Sequence, residues 1–153
     1  MPLVAPSLTL GLEEEYLLVD PASYDLVAAP PEGFMACCQQ RLGQRVTYEL
    51  LQSQVEVGTS VCRDVSALRR ELTLLRRTLA QTAGEFGMAL IAASTHPFAN
   101  WRVQRRVDKE RYNVLARDMA ALAERMVICG MHLHAGIEDE ETQTGAEVRA
   151  LPF

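Results

Sequence analysis

The sequence predicts an α+β fold, in which a largely antiparallel sheet has helices packed on one face. Segments with the two-residue alternation of strands are separated by segments with the three-to-four-residue spacing of amphipathic helices. Turn-forming pairs such as Asp20-Pro21 and Pro30-Pro31 bound the extended pieces. The chain has 153 residues, of which 48% are hydrophobic, enough for one core. We therefore expect a single domain over 1–153.

The predicted strands lie at both ends of the chain and in its middle. The first spans Leu8 to Val19, and a short extended piece from Tyr24 to Ala29 is expected to form a hairpin with it. Val46 to Thr59 is predicted as one extended segment. Met88 to Ser94 and Val127 to Ile137 complete the predicted sheet.

Helical spacing is strongest in the middle of the chain. Asp64 is predicted to cap a helix that ends at Gly87, because leucines recur on one side at intervals of three or four. A second long helix is predicted over Asp108 to Met126, and a short one over Gly33 to Leu42. Four arginines of the first long helix are expected on its outer side: Arg69, Arg70, Arg76 and Arg77.

Composition excludes several classes of protein. The net charge is −5 and the 15 basic residues are scattered among acidic ones, so nucleic acid is not an expected partner. No apolar run approaches the roughly 20 residues of a membrane span, and the first residues lack the pattern of a secretory signal. The four cysteines have no zinc-finger spacing and are expected to be reduced. These features favour a cytoplasmic protein without a membrane partner.

Polar side chains recur on one face of three predicted strands. Residues two apart on a strand share a face, so Glu13 and Glu15 point to one side and Glu14 points to the other. The sequence offers no role for Glu14. The other two rows consist of glutamine, glutamate and histidine, and their members are Gln54, Glu56, His132 and His134.

Carboxylates in the middle of apolar strands are costly unless they are paired or bound to an ion. Magnesium takes oxygen ligands, so Glu13, Glu15 and Glu56 are the predicted metal ligands. Two alternatives remain. The polar face of an antiparallel sheet can simply be solvated. Imidazole suits zinc, manganese or iron, so His132 and His134 with Glu56 could instead form a transition-metal hydrolase site.

Four motifs occur in a fixed order along the chain: GLEEEY at Gly11 to Tyr16, QVEVGT at Gln54 to Thr59, THPF at Thr95 to Phe98, and CGMHLH at Cys129 to His134. Together they resemble the carboxylate–amine ligases of the YbdK type, the second family of glutamate–cysteine ligases. The resemblance implies a fold similar to glutamine synthetase, in which a curved antiparallel sheet forms a funnel for ATP, magnesium and the acid substrate.

The resemblance also implies a reaction and assigns residues to it. ATP would phosphorylate the γ-carboxylate of glutamate, and the amine of cysteine or a similar compound would displace the acyl phosphate, as in the synthesis of glutathione-type peptides. By this analogy Glu13, Glu15 and Glu56 bind the Mg²⁺ that bridges the ATP phosphates. The implied contacts to the cofactor are His132, His134 and Gln54.

The THPF loop resembles a substrate-side element of these ligases, with Thr95 and His96 as candidate substrate contacts. The alternative is a turn fixed by Pro97 that only supports the fold. No catalytic acid or base is identified.

Members of this family are substantially longer than 153 residues. The chain is therefore expected to be the N-terminal part of a longer catalytic domain, with an irregular tail over 138–153. It would be an incomplete ligase or, as the alternative, a non-catalytic binding or interaction module that retains the metal-side wall. An open sheet edge would then pair in a homodimer or with another segment.

Overall fold

The computed structural model describes residues 8–110, 112 and 127–137. These residues form a five-stranded sheet with antiparallel pairing and two α-helices, which confirms the α+β class. Neither described helix combines the length and the apolar character that crossing a bilayer requires.

The regular elements follow one another in a simple order. Two single-turn 3-10 helices occupy Gly43–Arg45 and Trp101–Val103. The strands and helices are β1 (Thr9–Val19), α1 (Phe34–Leu42), β2 (Val46–Tyr48), β3 (Gln54–Gly58), α2 (Val65–Glu85), β4 (Ala89–Ile91) and β5 (Met131–Gly136).

β1 is the central strand of the sheet and pairs with three others. β3 lies along one side, in a register that sets Glu15 opposite Glu56. β5 and β4 share the other side, with β5 beside the first half of β1 and β4 beside its end. β2 pairs with β3 at the outer edge. The three polar rows predicted from the sequence are therefore neighbours on one sheet.

The prediction of one extended segment over Val46 to Thr59 is wrong, because β2 and β3 form a hairpin. The Gln54 N–H donates to the Leu51 carbonyl at 3.0 Å, and the Gln54 side chain accepts from the Leu51 N–H at 3.1 Å. Gln52 lies in this tight turn and not on a strand face.

The predicted strand over Tyr24 to Ala29 is reduced to a single bridge between Val19 and Leu26. Tyr24 has a φ of 60°, which interrupts an extended strand. Just before it, the Asp20 carboxylate accepts from the N–H groups of the next turn at 2.8 Å. β4 and β5 are also shorter than predicted. The helix predicted over 108–126 lies mostly outside the described residues, and the tail over 138–153 lies wholly outside them.

α1 and α2 cover one face of the sheet, as predicted. Asp64 caps α2 by accepting from the Ala67 N–H at 2.7 Å, and Gly87 ends the helix with a φ of 73°. Leu75 and Leu79 are fully buried. The residues they pack with include Tyr16, Leu18, Phe34, Cys38, Val55 and Val57.

The opposite face, which carries the polar rows, is only partly open. A second apolar cluster covers it where β1 passes Leu17, and Trp101 and Val107 pack against that cluster. The open part of the face is limited to the first half of β1 and its neighbours. That restriction determines where the candidate site lies.

Candidate metal centre

Three half-buried carboxylates meet on the open part of the sheet. Oxygen atoms of Glu15, Glu49 and Glu56 all lie within 4.8 Å of one another. Glu15 and Glu56 are brought together because they are direct partners across β1 and β3. Glu49 follows β2, where its N–H donates to the Gln54 carbonyl at 3.2 Å and places it beside Glu56. This carboxylate cluster offers a cation oxygen ligands from β1, from β3 and from the residue that follows β2.

Sequence reasoning missed Glu49. On one continuous strand, positions 49 and 56 would point to opposite faces, since they differ by an odd number. The hairpin turn changes that relation. The signal was present in Leu50 to Ser53, where strict alternation of polar and apolar residues fails.

Glu15 is fixed by two hydrogen bonds to one glycine. The Gly130 N–H donates to Glu15 Oε2 at 2.9 Å, and the Glu15 N–H donates to the Gly130 carbonyl at 3.0 Å. A Cβ at Gly130 would lie 3.3 Å from the His132 ring, so a side chain there would crowd the site. A cavity of about 260 Å³ opens here, lined in part by Glu15, Glu49, Gln54, Gly130 and His132.

Gln54 borders this cavity but its amide is used in the fold. Its Nε2 donates to the Ile128 carbonyl at 2.7 Å, while its oxygen accepts from the hairpin turn. Gln54 is 1% exposed. It therefore links the turn of the hairpin to the segment that leads into β5. The Tyr112 hydroxyl similarly donates to Glu49 at 3.1 Å.

Glu13 lies with the two predicted histidines beside the carboxylate cluster. Its Oε2 is 3.2 Å from His134 Nε2 and 3.7 Å from His132 Nδ1. The register explains this, because Glu13 is opposite His132 on β5. All three side chains are exposed, from 44% for Glu13 to 60% for His132. The strand face thus places a carboxylate with two imidazoles next to the carboxylate cluster.

Glu14 faces the helices, where it is buried and paired with Arg76 of α2. Its carboxylate accepts from both Arg76 Nε, at 2.7 Å, and Arg76 Nη2, and also from the Tyr16 hydroxyl. Burial raises the pKa of Tyr16, and the hydrogen bond to Glu14 raises it further, so the hydroxyl stays a donor. The bond to Glu14 also raises the pKa of Arg76. Arg76 is exposed on α2, as expected, and its guanidinium nevertheless reaches the sheet to pair with Glu14.

Thr95 and His96 make contacts that belong to the loop. The Thr95 hydroxyl donates to the Val127 carbonyl at 3.0 Å. His96 is 8% exposed, and its Nε2 lies 2.8 Å from the Tyr24 carbonyl oxygen. The ring packs edge-on against Phe98. Among the described residues, these two side chains therefore contact backbone carbonyl groups and the Phe98 ring.

Comparison of the sequence with known proteins gives one consistent family. The model of glutamate–cysteine ligase family 2 matches residues 9–151. A protein of Jannaschia sp. provisionally named glutamate–cysteine ligase 2 is 53% identical over 132 residues, which are 86% of this chain and 35% of the relative. A protein of the same provisional name from Rhodospirillum rubrum is 50% identical over 140 residues, which are 89% of this chain and 36% of the relative. The chain thus spans about a third of the length of these relatives.

Solved structures share the fold at low sequence identity. The glutamate–cysteine ligase of Francisella tularensis in complex with AMP superposes with a TM-score of 0.70 at 15% identity, covering 97% of this chain and 30% of that one. A bifunctional glutathione synthetase from Pasteurella multocida superposes with a TM-score of 0.68 at 16% sequence identity, covering 93% of this chain and 19% of that one. Given the match over 9–151, the chain belongs to glutamate–cysteine ligase family 2.

Proposed function

We propose that this chain supplies the metal-binding wall of an ATP-dependent ligase that joins the side-chain carboxylate of glutamate to the amine of cysteine or a similar compound. The observation that supports this proposal most is the carboxylate cluster of Glu15, Glu49 and Glu56 on one sheet face. Membership of the glutamate–cysteine ligase family supports the reaction class. The AMP complex of the Francisella enzyme supports the use of a nucleotide.

The donor set suits magnesium. Magnesium is bound by one or two carboxylates together with water and substrate phosphates, and the cluster offers carboxylate oxygens beside an open cavity. A transition-metal hydrolase built on Glu56, His132 and His134 fits less well. Glu13 is the carboxylate that contacts the two histidines, and the cluster found among the described residues contains only glutamates.

Each residue then has a defined task. Glu15, Glu49 and Glu56 would hold the Mg²⁺, with Glu15 fixed by the Gly130 N–H. When bound, the metal would neutralise phosphate charge during transfer. Glu13 orients His132 and His134, whose exposed rings can donate hydrogen bonds to phosphate oxygens.

The chemistry proposed has two steps. A γ-carboxylate oxygen of glutamate attacks the terminal phosphorus of ATP and expels ADP. The amine nitrogen then attacks the acyl carbon, expels inorganic phosphate and loses a proton. Both steps depend on positioning and on charge neutralisation, which a rigid sheet face can provide.

The proposal is tested by measuring ADP release from the purified chain with magnesium, ATP, glutamate and a panel of amines that includes cysteine. Amine-dependent release that is lost in Glu13→Ala/Glu56→Ala and retained in Glu32→Gln, which removes an exposed carboxylate elsewhere, would support the ligase and show that this part of it suffices for turnover. Release that persists in the double variant would contradict the assignment of the site.

A non-catalytic binding module is the second candidate, because the chain spans only about a third of its relatives. Binding of Mn²⁺ with ATP, followed by electron paramagnetic resonance, separates the two. Binding that depends on Glu56, without turnover with any amine, would favour the module. Turnover would favour the ligase.

A further inference from the structure

A second cavity lies on the other side of the hairpin turn from the carboxylate cluster. Its volume is about 440 Å³, and its lining is Leu51, Trp101, Arg102, Gln104 and Arg106. Leu50 and Gln54 line the carboxylate cavity, so the turn forms a wall common to both. The carboxylate cavity is acidic, whereas the described residues that line this second cavity include two arginines and no acidic side chain.

The backbone that presents these arginines is held against the turn. The Gln52 N–H donates to the Arg105 carbonyl at 2.8 Å, and the Gln52 side chain donates to the Arg106 carbonyl at 3.2 Å. The Val107 N–H donates to the Leu50 carbonyl at 3.0 Å. The segment is therefore anchored on both sides of Arg106, and its side chains emerge from fixed positions.

Among the described residues, some arginines are paired with acidic side chains, whereas the two that line this cavity are not. Arg41, Arg45 and Arg76 each form an ion pair with a glutamate. Within the described part of the chain, Arg102 and Arg106 form no such pair. The guanidinium carbon of Arg102 lies 4.5 Å from the centroid of the Trp101 ring, a contact that holds it at the cavity.

We propose that this cavity is a binding site for a small oxyanion, a carboxylate or a phosphate group, with Arg102 and Arg106 as its ligands. Guanidinium groups match both oxyanions through paired N–H donors. Leu51 and the Trp101 ring would contact the apolar part of the molecule that bears the anion. The site requires neither the metal nor the ligase reaction proposed above.

Trp101 is the single tryptophan of the chain and reports on the cavity directly. The purified chain is titrated at constant ionic strength, in buffer without magnesium, with glutamate in one arm and inorganic phosphate in another, and sodium chloride serves as the reference. Fluorescence is followed, and isothermal calorimetry repeats each titration independently of the ring. The arm that saturates at the lower concentration identifies the source of the anion.

Matched substitutions distinguish a site from a diffuse positive field. Arg102→Gln and Arg106→Gln remove residues that line the cavity, whereas Arg105→Gln removes an equal charge from a neighbour that does not line it. We expect affinity to fall at least about tenfold in the first two, or about 1.4 kcal/mol, and less than about twofold in the third. Circular dichroism checks that each variant folds. A glutamine variant that does not fold is replaced by the lysine variant at the same position, Arg102→Lys or Arg106→Lys.

Two results would overturn the proposal. One is the absence of saturable binding in both arms with folded protein. The other is equal weakening by all three substitutions, which is what a diffuse field produces. The Glu56→Gln variant separates this site from the metal centre, because we expect it to bind the anion as the parent chain does even where it no longer binds metal.

Discussion

The two faces of β1 give the same residue type two different environments. Glu13 and Glu15 lie on the open face, beside other carboxylates and histidines. Glu14, between them in sequence, is 4% exposed and paired with Arg76. Alternation along one strand therefore divides a run of three glutamates into a structural ion pair and two site residues.

The difference between these faces is a difference in what balances the charge. A carboxylate inside the fold needs a permanent partner, which α2 supplies as Arg76. Carboxylates at the cavity are close to one another and can be balanced by a bound cation. Removing charge should therefore destabilise the fold on the helix side and relieve repulsion on the open side.

The largest effect is expected from Arg76→Leu, which leaves Glu14 buried without its cation. We expect the free energy of unfolding to fall by about 3 kcal/mol, the lower part of the usual range because the Arg76 side chain is 46% exposed. Urea denaturation measures it. Arg77→Leu, on the same helix, should cost less than about 0.5 kcal/mol, and the pair Glu14→Leu/Arg76→Leu should recover most of the loss. Equal effects of Arg76→Leu and Arg77→Leu would contradict a structural ion pair.

A smaller effect concerns the buried thiol behind Glu15. Burial, reinforced by Glu15, raises the pKa of Cys129 to about 12. An unfolded cysteine titrates near pH ~8.5, so the thiol contributes stability that is complete below that pH and is lost as the pH rises towards 12. The unfolding free energy should decrease between pH 8 and pH 10 by about 1 to 2 kcal/mol less in Cys129→Ala than in the parent chain. Identical slopes for parent and variant would show that the thiol is not held in its neutral form.

On the open face, Glu56→Gln should act in the opposite sense to Arg76→Leu. Without metal, relief of repulsion should raise the unfolding free energy by up to about 1 kcal/mol. Affinity for Mn²⁺ should fall at least about tenfold, near 1.4 kcal/mol. Metal titration and urea denaturation of the same samples test both parts. A loss of stability without metal would mean that Glu56 serves the fold as Glu14 does.

The smallest effect on stability is expected from a substitution on β5, on the sheet face that carries the helices. Leu133 lies on that face opposite Leu12, yet it is 64% exposed. Leu133→Lys should change unfolding free energy by less than about 0.5 kcal/mol and should reduce self-association through the sheet edge, measured by sedimentation. Leu74→Lys, which alters an exposed leucine of α2, is the control. Equal association of both variants would place the contact elsewhere.

Periodicity predicted the parts of this molecule that depend on neighbours in sequence. The strand β1, the capped helix α2 and the opposite directions of Glu13 and Glu14 all follow from spacings of two or of three to four residues. Glu15 and Glu56 were both predicted for the metal site, and the register brings them together. Whether they bind metal stays a prediction.

The features that were missed depend on distant contacts or on turns. The pairing of Arg76 with Glu14 joins residues 62 positions apart, and helical spacing alone does not reveal it. Glu49 depended on a turn whose only sign in the sequence is the break in alternation over Leu50 to Ser53. The apolar cluster around Leu17 combines strand residues with side chains of loop segments that have no regular spacing.

The tight turn between β2 and β3 sets the register of these strands, and that register determines which carboxylates line the cavity. Glu49 and Glu56 share a face because Leu50 to Ser53 reverse the chain in a fixed register. An insertion at that turn that moved β2 by one residue against β3 would turn Glu49 to the far face and leave Glu15 and Glu56 in place. The number of negative charges at the cavity could thus be changed by insertion or deletion alone, without replacing any glutamate.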